Sequence, residues 1–177
     1  MHLLDIVENS ISAQADTIRI SVEEDHKNDQ LVMKVEDNGR GMDKEMVARV
    51  ADPFVTSRTT RKVGLGIPLL KAAAEACNGG LTIQSEPGKG TSVIVKFQHS
   101  HIDRMPLGDL PSTILPLVVG SPEIHWIFNY TVDGKTFSFD NQPIKETLDG
   151  IPLSDPLVLG YLREVLQTGI ASVQQNS

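Results

Sequence analysis

Over residues 2–15, Leu3, Leu4, Val7 and Ile11 fall in one arc of a helical wheel, and Asp5, Glu8, Asn9 and Ser12 fall in the opposite arc. This predicts an amphipathic helix with one polar face. The period then drops to two. Ile18, Ile20 and Val22 alternate with polar neighbours over 17–22, and Leu31, Met33 and Val35 do so over 31–36, which predicts two half-buried strands. The polar stretch 23–30 joins them, so an antiparallel pair is the simplest arrangement. Residues 43–51 read as a short helix stopped by Asp52-Pro53, because the residue before a proline is driven out of helical conformation. Another helix is expected to open near Pro68 and to close at Gly79-Gly80. Strands at 81–85 and 91–97 flank the turn Glu86-Pro87-Gly88-Lys89-Gly90. The order helix–strand–strand–helix–helix–strand–strand predicts an α+β fold with a mixed or antiparallel sheet.

After Phe97 the pattern changes. Residues 98–111 are rich in His, Asp, Pro and Gly and read as a linker, so residues 1–97 form one expected domain and 112–177 an extension. In the extension an apolar stretch, 114–119, precedes two aromatic-rich runs, 123–130 and 135–140. Asp133-Gly134 between them signals a hairpin, since both turn positions favour a positive φ. Ser154-Asp155-Pro156 starts a final helix over 157–167. About 65 residues form only a modest core, and they are expected to pack on the first domain or on a partner.

Composition narrows the functional classes. Sixteen basic against twenty-three acidic residues give a net charge of −7, which disfavours a nucleic-acid or anionic-membrane surface. No apolar run approaches the roughly 18 residues that span a bilayer, and Asp5 and Glu8 stand where a signal peptide would be basic and apolar. A cytoplasmic location is expected. The single cysteine, Cys77, excludes an intrachain disulfide and lies in an alanine-rich stretch that suits a buried position.

Four clusters carry candidate chemistry. Asp5 and Asn9, one helical turn apart, project into the same space. There Asp5 or Glu8 can orient or deprotonate a water, and Asn9 can offer a carbonyl oxygen to Mg²⁺, which prefers oxygen ligands. Asp37-Asn38-Gly39-Arg40-Gly41-Met42 ends an apolar strand, and its glycines allow close backbone approach beside a carboxylate. Asp52-Pro53-Phe54-Val55-Thr56-Ser57, with Arg58, Arg61, Lys62 and Gly64-Leu65-Gly66-Ile67 after it, joins hydroxyls and cations to a helix start, where unpaired amides attract phosphate. Gly88-Lys89-Gly90-Thr91 alone is only a hairpin turn. Two features carry less. Gly134-Lys135-Thr136 imitates the end of a phosphate-binding loop, but Asn129 stands where its first glycine belongs. His26, His99, His101 and His125 are spread over loops and a strand, where structural or solvated roles suit them best.

Taken in order, these clusters resemble the boxes of the GHKL ATPase superfamily. The stretch from Asp5 to Ala13 is similar to its N box, Asp37-x-Gly39-x-Gly41 to its first glycine box, and Asp52-Pro53-Phe54 to the F box of histidine kinases. Gly64-Leu65-Gly66 resembles the second glycine box and Gly88-Lys89-Gly90-Thr91 the last. The resemblance covers residues 1–97 and implies a two-layer α/β sandwich of Bergerat type, here with a small C-terminal α/β extension. It also implies ATP and Mg²⁺ as cofactors. By position, Asn9 would ligate Mg²⁺ and Asp37 would accept the adenine amine. Gly39, Gly41 and Met42 would line the base pocket, with Thr91 supporting it near Asp37. Arg58, Arg61, Lys62, Gly64 and Gly66 would form a lid over the phosphates, and Phe54, Thr56, Ser57, Leu65 and Ile67 would also belong to the nucleotide site. The position of the general-base glutamate in hydrolysing members is here Asp5, one methylene shorter, with Glu8 as a substitute three residues on. Members of the superfamily usually carry a strand and helix before the N box; a partner or the C-terminal segment would complete the sheet, or the fold is trimmed.

The resemblance implies an ATP-binding, histidine kinase-like module in signalling. It would present Mg-ATP for phosphoryl transfer to a separate acceptor or regulatory protein, with a homodimer as a further possibility. The alternative is an ATP-gated protein-binding switch with slow or no hydrolysis, to which the short Asp5 and the extra segment point.

Overall fold

The computed structural model describes residues 2–52 and 62–174, excepting the side chains of residues 2 and 62–65. The chain runs α1 (His2–Ser12), β1 (Thr17–Asp25), β2 (Gln30–Asp37), α2 (Lys44–Val50), α3 (Lys62–Ala76), β3 (Gly80–Glu86) and β4 (Gly90–Gln98). It continues through α4 (Leu110–Gly120), β5 (His125–Val132), β6 (Lys135–Asp140), α5 (Asn141–Leu148) and α6 (Pro156–Gln174).

The strands form one mixed sheet in the order β3-β4-β2-β1-β5-β6, antiparallel throughout except where β5 runs parallel to β1. Alternation explains its single buried face. Ile18, Ile20 and Val22 on β1 stand in register with Trp126, Phe128 and Tyr130 on β5, and all six are buried. Leu3, Ile6 and Val7 of α1, Leu70 and Ala74 of α3, and Leu162, Leu166 and Ile170 of α6 join them in one hydrophobic cluster. Helices therefore cover one face of a sheet to which both halves of the chain contribute, the two-layer α+β architecture implied by the boxes. Cys77 is buried in this core.

The helices depart from the sequence pattern in several places, and α4 already begins at Leu110, within the stretch expected as a linker. The helix expected near Pro68 opens at Lys62, so Gly64 and Gly66 lie inside it. Glycine's poor helix propensity disguised that turn, while the close approach of Gly66 to α1 requires it. The last helix extends to Gln174 because Ile170 and Val173 continue its buried face. α5 was not anticipated; Asp140 starts it by accepting from the Gln142 amide at 2.8 Å. The Asp133-Gly134 turn forms as read, with φ of 49° and 89°. Residues 98–100 are pinned by Asp29, which accepts from the Ser100 amide at 2.8 Å and from its hydroxyl at 2.7 Å. No helix among the described residues is long and apolar enough to cross a membrane.

Candidate functional site

The strand register brings the sequence clusters together. Asp37 ends β2 opposite Ile18 on one side and Thr91 on the other. The turn after it is fastened to three elements. Asn38 Oδ1 accepts from the amides of Asp16 and Thr17 at 2.8 and 2.9 Å. The Arg40 amide donates to the Ala13 carbonyl at 3.0 Å, its guanidinium to the Ser12 carbonyl at 2.7 Å. The Met42 amide donates to Ser85 Oγ at 2.8 Å, and Ser85 also meets Thr91 Oγ1 at 2.8 Å. The glycines permit this crowding. Gly41 has φ +72°, and a Cβ there would lie 1.9 Å from the Glu86 carbonyl oxygen. A Cβ on Gly39 would lie 2.7 Å from the Ala13 carbonyl oxygen.

Between α1 and this turn lies a cavity of about 360 Å³. Ile6, Met42, Met46, Val50, Ile67 and Val93 give it apolar walls, and Asn9, Ser10, Asp37 and Thr91 give it polar points. Apolar walls with a few convergent polar groups suit a flat heteroaromatic ring. Asp37 Oδ2 accepts from Ser10 Oγ at 2.5 Å and Oδ1 from the Gly39 amide at 2.9 Å. An ionised carboxylate offers about four acceptor sites, so capacity for a further donor remains. A wider groove of about 660 Å³ touches Asp37 and Thr91 from the other side, lined by Glu36, Gln84, Glu86 and Lys89. It lies open to solvent and lacks the apolar enclosure, so the smaller cavity is the better candidate.

The side-chain amide oxygen of Asn9, Oδ1, is buried, and no donor among the described residues reaches it. A buried acceptor without a donor is costly. Its hard oxygen suits Mg²⁺, so the donor present fits that ion.

Of the residues singled out in the sequence, Asn9, Asp37, Gly41, Met42, Ile67 and Thr91 line the cavity, and Gly39 braces Asp37 from behind. Asp5 and Glu8 are not among its walls. Asp5 packs against α3, where a Cβ on Gly66 would lie 2.6 Å from its own Cβ, and Glu8 is exposed. Lys62, Gly64 and Leu65 occupy the first turn of α3. Phe54, Thr56, Ser57, Arg58 and Arg61 lie outside the described residues. Ser10 was missed, although a hydroxyl on the buried side of α1 was its signal; it is only 3% exposed.

The sequence profile described as "Histidine kinase-, DNA gyrase B-, and HSP90-like ATPase" matches residues 2–101. The chain is 43% identical over 89 residues to the sensor protein kinase FleS of Pseudomonas aeruginosa, covering 50% of this chain and 22% of that protein. It is 35% identical over 111 residues to the non-motile and phage-resistance protein of Caulobacter vibrioides, covering 58% and 13%. It is 36% identical over 73 residues to the sensor histidine kinase YxdK of Bacillus subtilis, covering 39% and 22%. The matched part thus spans less than a quarter of each relative. Among solved structures, the N-terminal domain of a DNA repair protein superposes with a TM-score of 0.52 at 17% identity, over 77% of this chain and 50% of that one. That likeness concerns the fold.

Proposed function

The chain belongs to the histidine kinase-, DNA gyrase B- and HSP90-like ATPase family, and on that premise we infer that it binds Mg-ATP between α1 and the glycine turn and presents it to a separate phosphoacceptor protein. The observation that carries the reading is the meeting, in one apolar cavity, of the Asp37 carboxylate with the donorless carbonyl of Asn9. Asp37 accepts the exocyclic amine of adenine while Ser10 and Gly39 hold the carboxylate in place. Met42, Ile67 and Val93 exclude water from the ring. Asn9 gives Mg²⁺ one oxygen ligand. The first turn of α3 offers the positive end of a helix dipole to the phosphates.

Bound Mg-ATP supplies the transferable phosphoryl group and the neutralising charge; the protein supplies position, which is most of what phosphoryl transfer asks of it. Asp5 is short and packed against Gly66, which favours slow attack by water and leaves the nucleotide for an acceptor. Sensor kinases among the relatives support the same direction.

Incubation of the purified chain with γ-labelled ATP tests this. The expected result is bound nucleotide, slow phosphate release and no stable label on the chain. Strong label on the chain itself would contradict transfer to a separate partner. Nucleotide retained without transfer to any histidine-bearing acceptor would favour an ATP-gated switch instead.

A further inference from the structure

At the end of the sheet away from Asp37, three connections converge. Glu24 lies near the end of β1, His26 in the β1–β2 turn, His99 just past β4, and Asp133 in the β5–β6 turn. One ligand atom from each of Glu24, His26 and His99 lies within 4.8 Å of the others. His99 Nε2 stands 2.8 Å from Glu24 Oε1, and each side chain is only 17% exposed. The ATP reading uses none of these residues. We propose that Glu24, His26 and His99 bind a divalent transition metal of the zinc type, with Asp133 and Tyr130 as positioning residues.

The donor set decides the metal class. Two imidazoles and a carboxylate suit Zn²⁺ and its transition-metal neighbours, whereas Mg²⁺ and Ca²⁺ prefer oxygen throughout. Ligands at 2.0–2.1 Å from a tetrahedral ion stand roughly 3.4 Å apart, so small side-chain rotations close the set. Its surroundings have the form that metal sites require. His26 Nδ1 lies 2.7 Å from Asp133 Oδ2, and the His26 amide donates to Asp133 Oδ1 at 2.8 Å. A carboxylate on one ring nitrogen is the usual partner of an imidazole that ligates through the other. The Tyr130 hydroxyl donates to Glu24 Oε2, and Gln174 Nε2 donates to that hydroxyl at 3.2 Å. That hydroxyl engages Oε2, so Oε1, which faces His99 Nε2, is the oxygen turned to the ion. Arg104 fixes the backbone by donating to the His99 carbonyl at 2.7 Å. Three ligands leave one position of a tetrahedral ion open. The ion would tie the β1–β2 turn to the segment after β4 and, through Asp133 and Tyr130, to the C-terminal half.

Six strand steps, roughly 20 Å, separate Glu24 from the position opposite Asp37. Nucleotide and metal binding are therefore separable. The test titrates the untagged, chelator-treated full chain with Zn²⁺ alone by calorimetry and with Co²⁺ as an optical probe. One equivalent of Zn²⁺ is expected at micromolar or tighter affinity, with Co²⁺ bands of low coordination number and a rise in Tm. His99→Ala and His26→Ala each weaken Zn²⁺ at least about tenfold, and Asp133→Asn by roughly 10–100-fold. Asp37→Asn binds Zn²⁺ as the parent does. Excess Mg²⁺ does not compete. His26 is exposed, so His26→Ala keeps its fold even where His99→Ala does not. Absence of micromolar Zn²⁺ binding, or unchanged binding in folded His26→Ala, overturns the proposal.

Discussion

At the scale of single residues, the candidate site depends on one unmatched acceptor and one crowded turn. Asn9→Ala removes the buried carbonyl without removing apolar wall. We expect nucleotide affinity measured with Mg²⁺ to fall by about tenfold, some 1.4 kcal/mol, and affinity measured with a chelator present to change little. Equal losses in both conditions would mean that Asn9 contacts the nucleotide rather than the ion. Gly41→Ala sets a side chain at φ +72° and 1.9 Å from the Glu86 carbonyl oxygen. The left-handed conformation alone costs about 1–2 kcal/mol. Displacing the β3–β4 turn adds to that, so a lower denaturation midpoint is expected in urea. An unchanged midpoint would show that the turn is looser than its contacts imply. Asn9, Asp37, Gly41, Met42 and Thr91 were legible as candidates because box order restricts them strongly. Ser10 was not, because a small hydroxyl in the apolar arc of a helix looks like tolerated core. Its partner is 27 residues away, beyond any local pattern.

At the scale of elements, alternation and turn chemistry made β1, β2, β3, β4 and the β5–β6 hairpin readable, since each rests on neighbours in sequence. The start of α3 was not, because Gly66 obeys a contact with α1 rather than helix propensity. α5 was hidden by its length of eight residues and its polar composition. The connection after β4 gives this scale a pH signature. Hydrogen bonds from Ser100 and then Gln98 hold the Asp29 carboxyl below its ordinary 3.8. A depressed folded-state value means that this stabilisation is complete above about pH 4 and is lost as the pH falls through the lowered value. Tm should therefore be insensitive to Asp29 ionisation from neutral pH to about 4 and should drop below it. Asp29→Asn should lower the plateau and flatten that acid limb, as followed by circular dichroism from pH 7 to 2. An acid limb identical to the parent's would remove Asp29 from the account.

At the scale of the molecule, the neighbour of β1 comes from beyond the ATPase match. β5 runs parallel to it, and Trp126, Phe128 and Tyr130 share its core. The aromatic-rich run beside the Asp133-Gly134 turn predicts a strand there but does not assign its partner, because a parallel pairing across about a hundred residues leaves no local trace. A fragment ending at residue 101 would lose these buried aromatics and bare the β1 edge. We expect it to bind a hydrophobic dye and to lack a cooperative thermal transition, whereas the full chain unfolds in one step. A cooperative fragment would show that the first half folds without this support.

The most direct test of the central claim is calorimetric titration of Mg-ATP into the full chain and into Asp37→Asn. The account predicts one site in the parent, and at least about tenfold weaker binding in the variant because an amide presents NH₂ where the adenine amine needs an acceptor. A folded parent that binds no nucleotide, or a folded variant that binds as tightly as the parent, would contradict it.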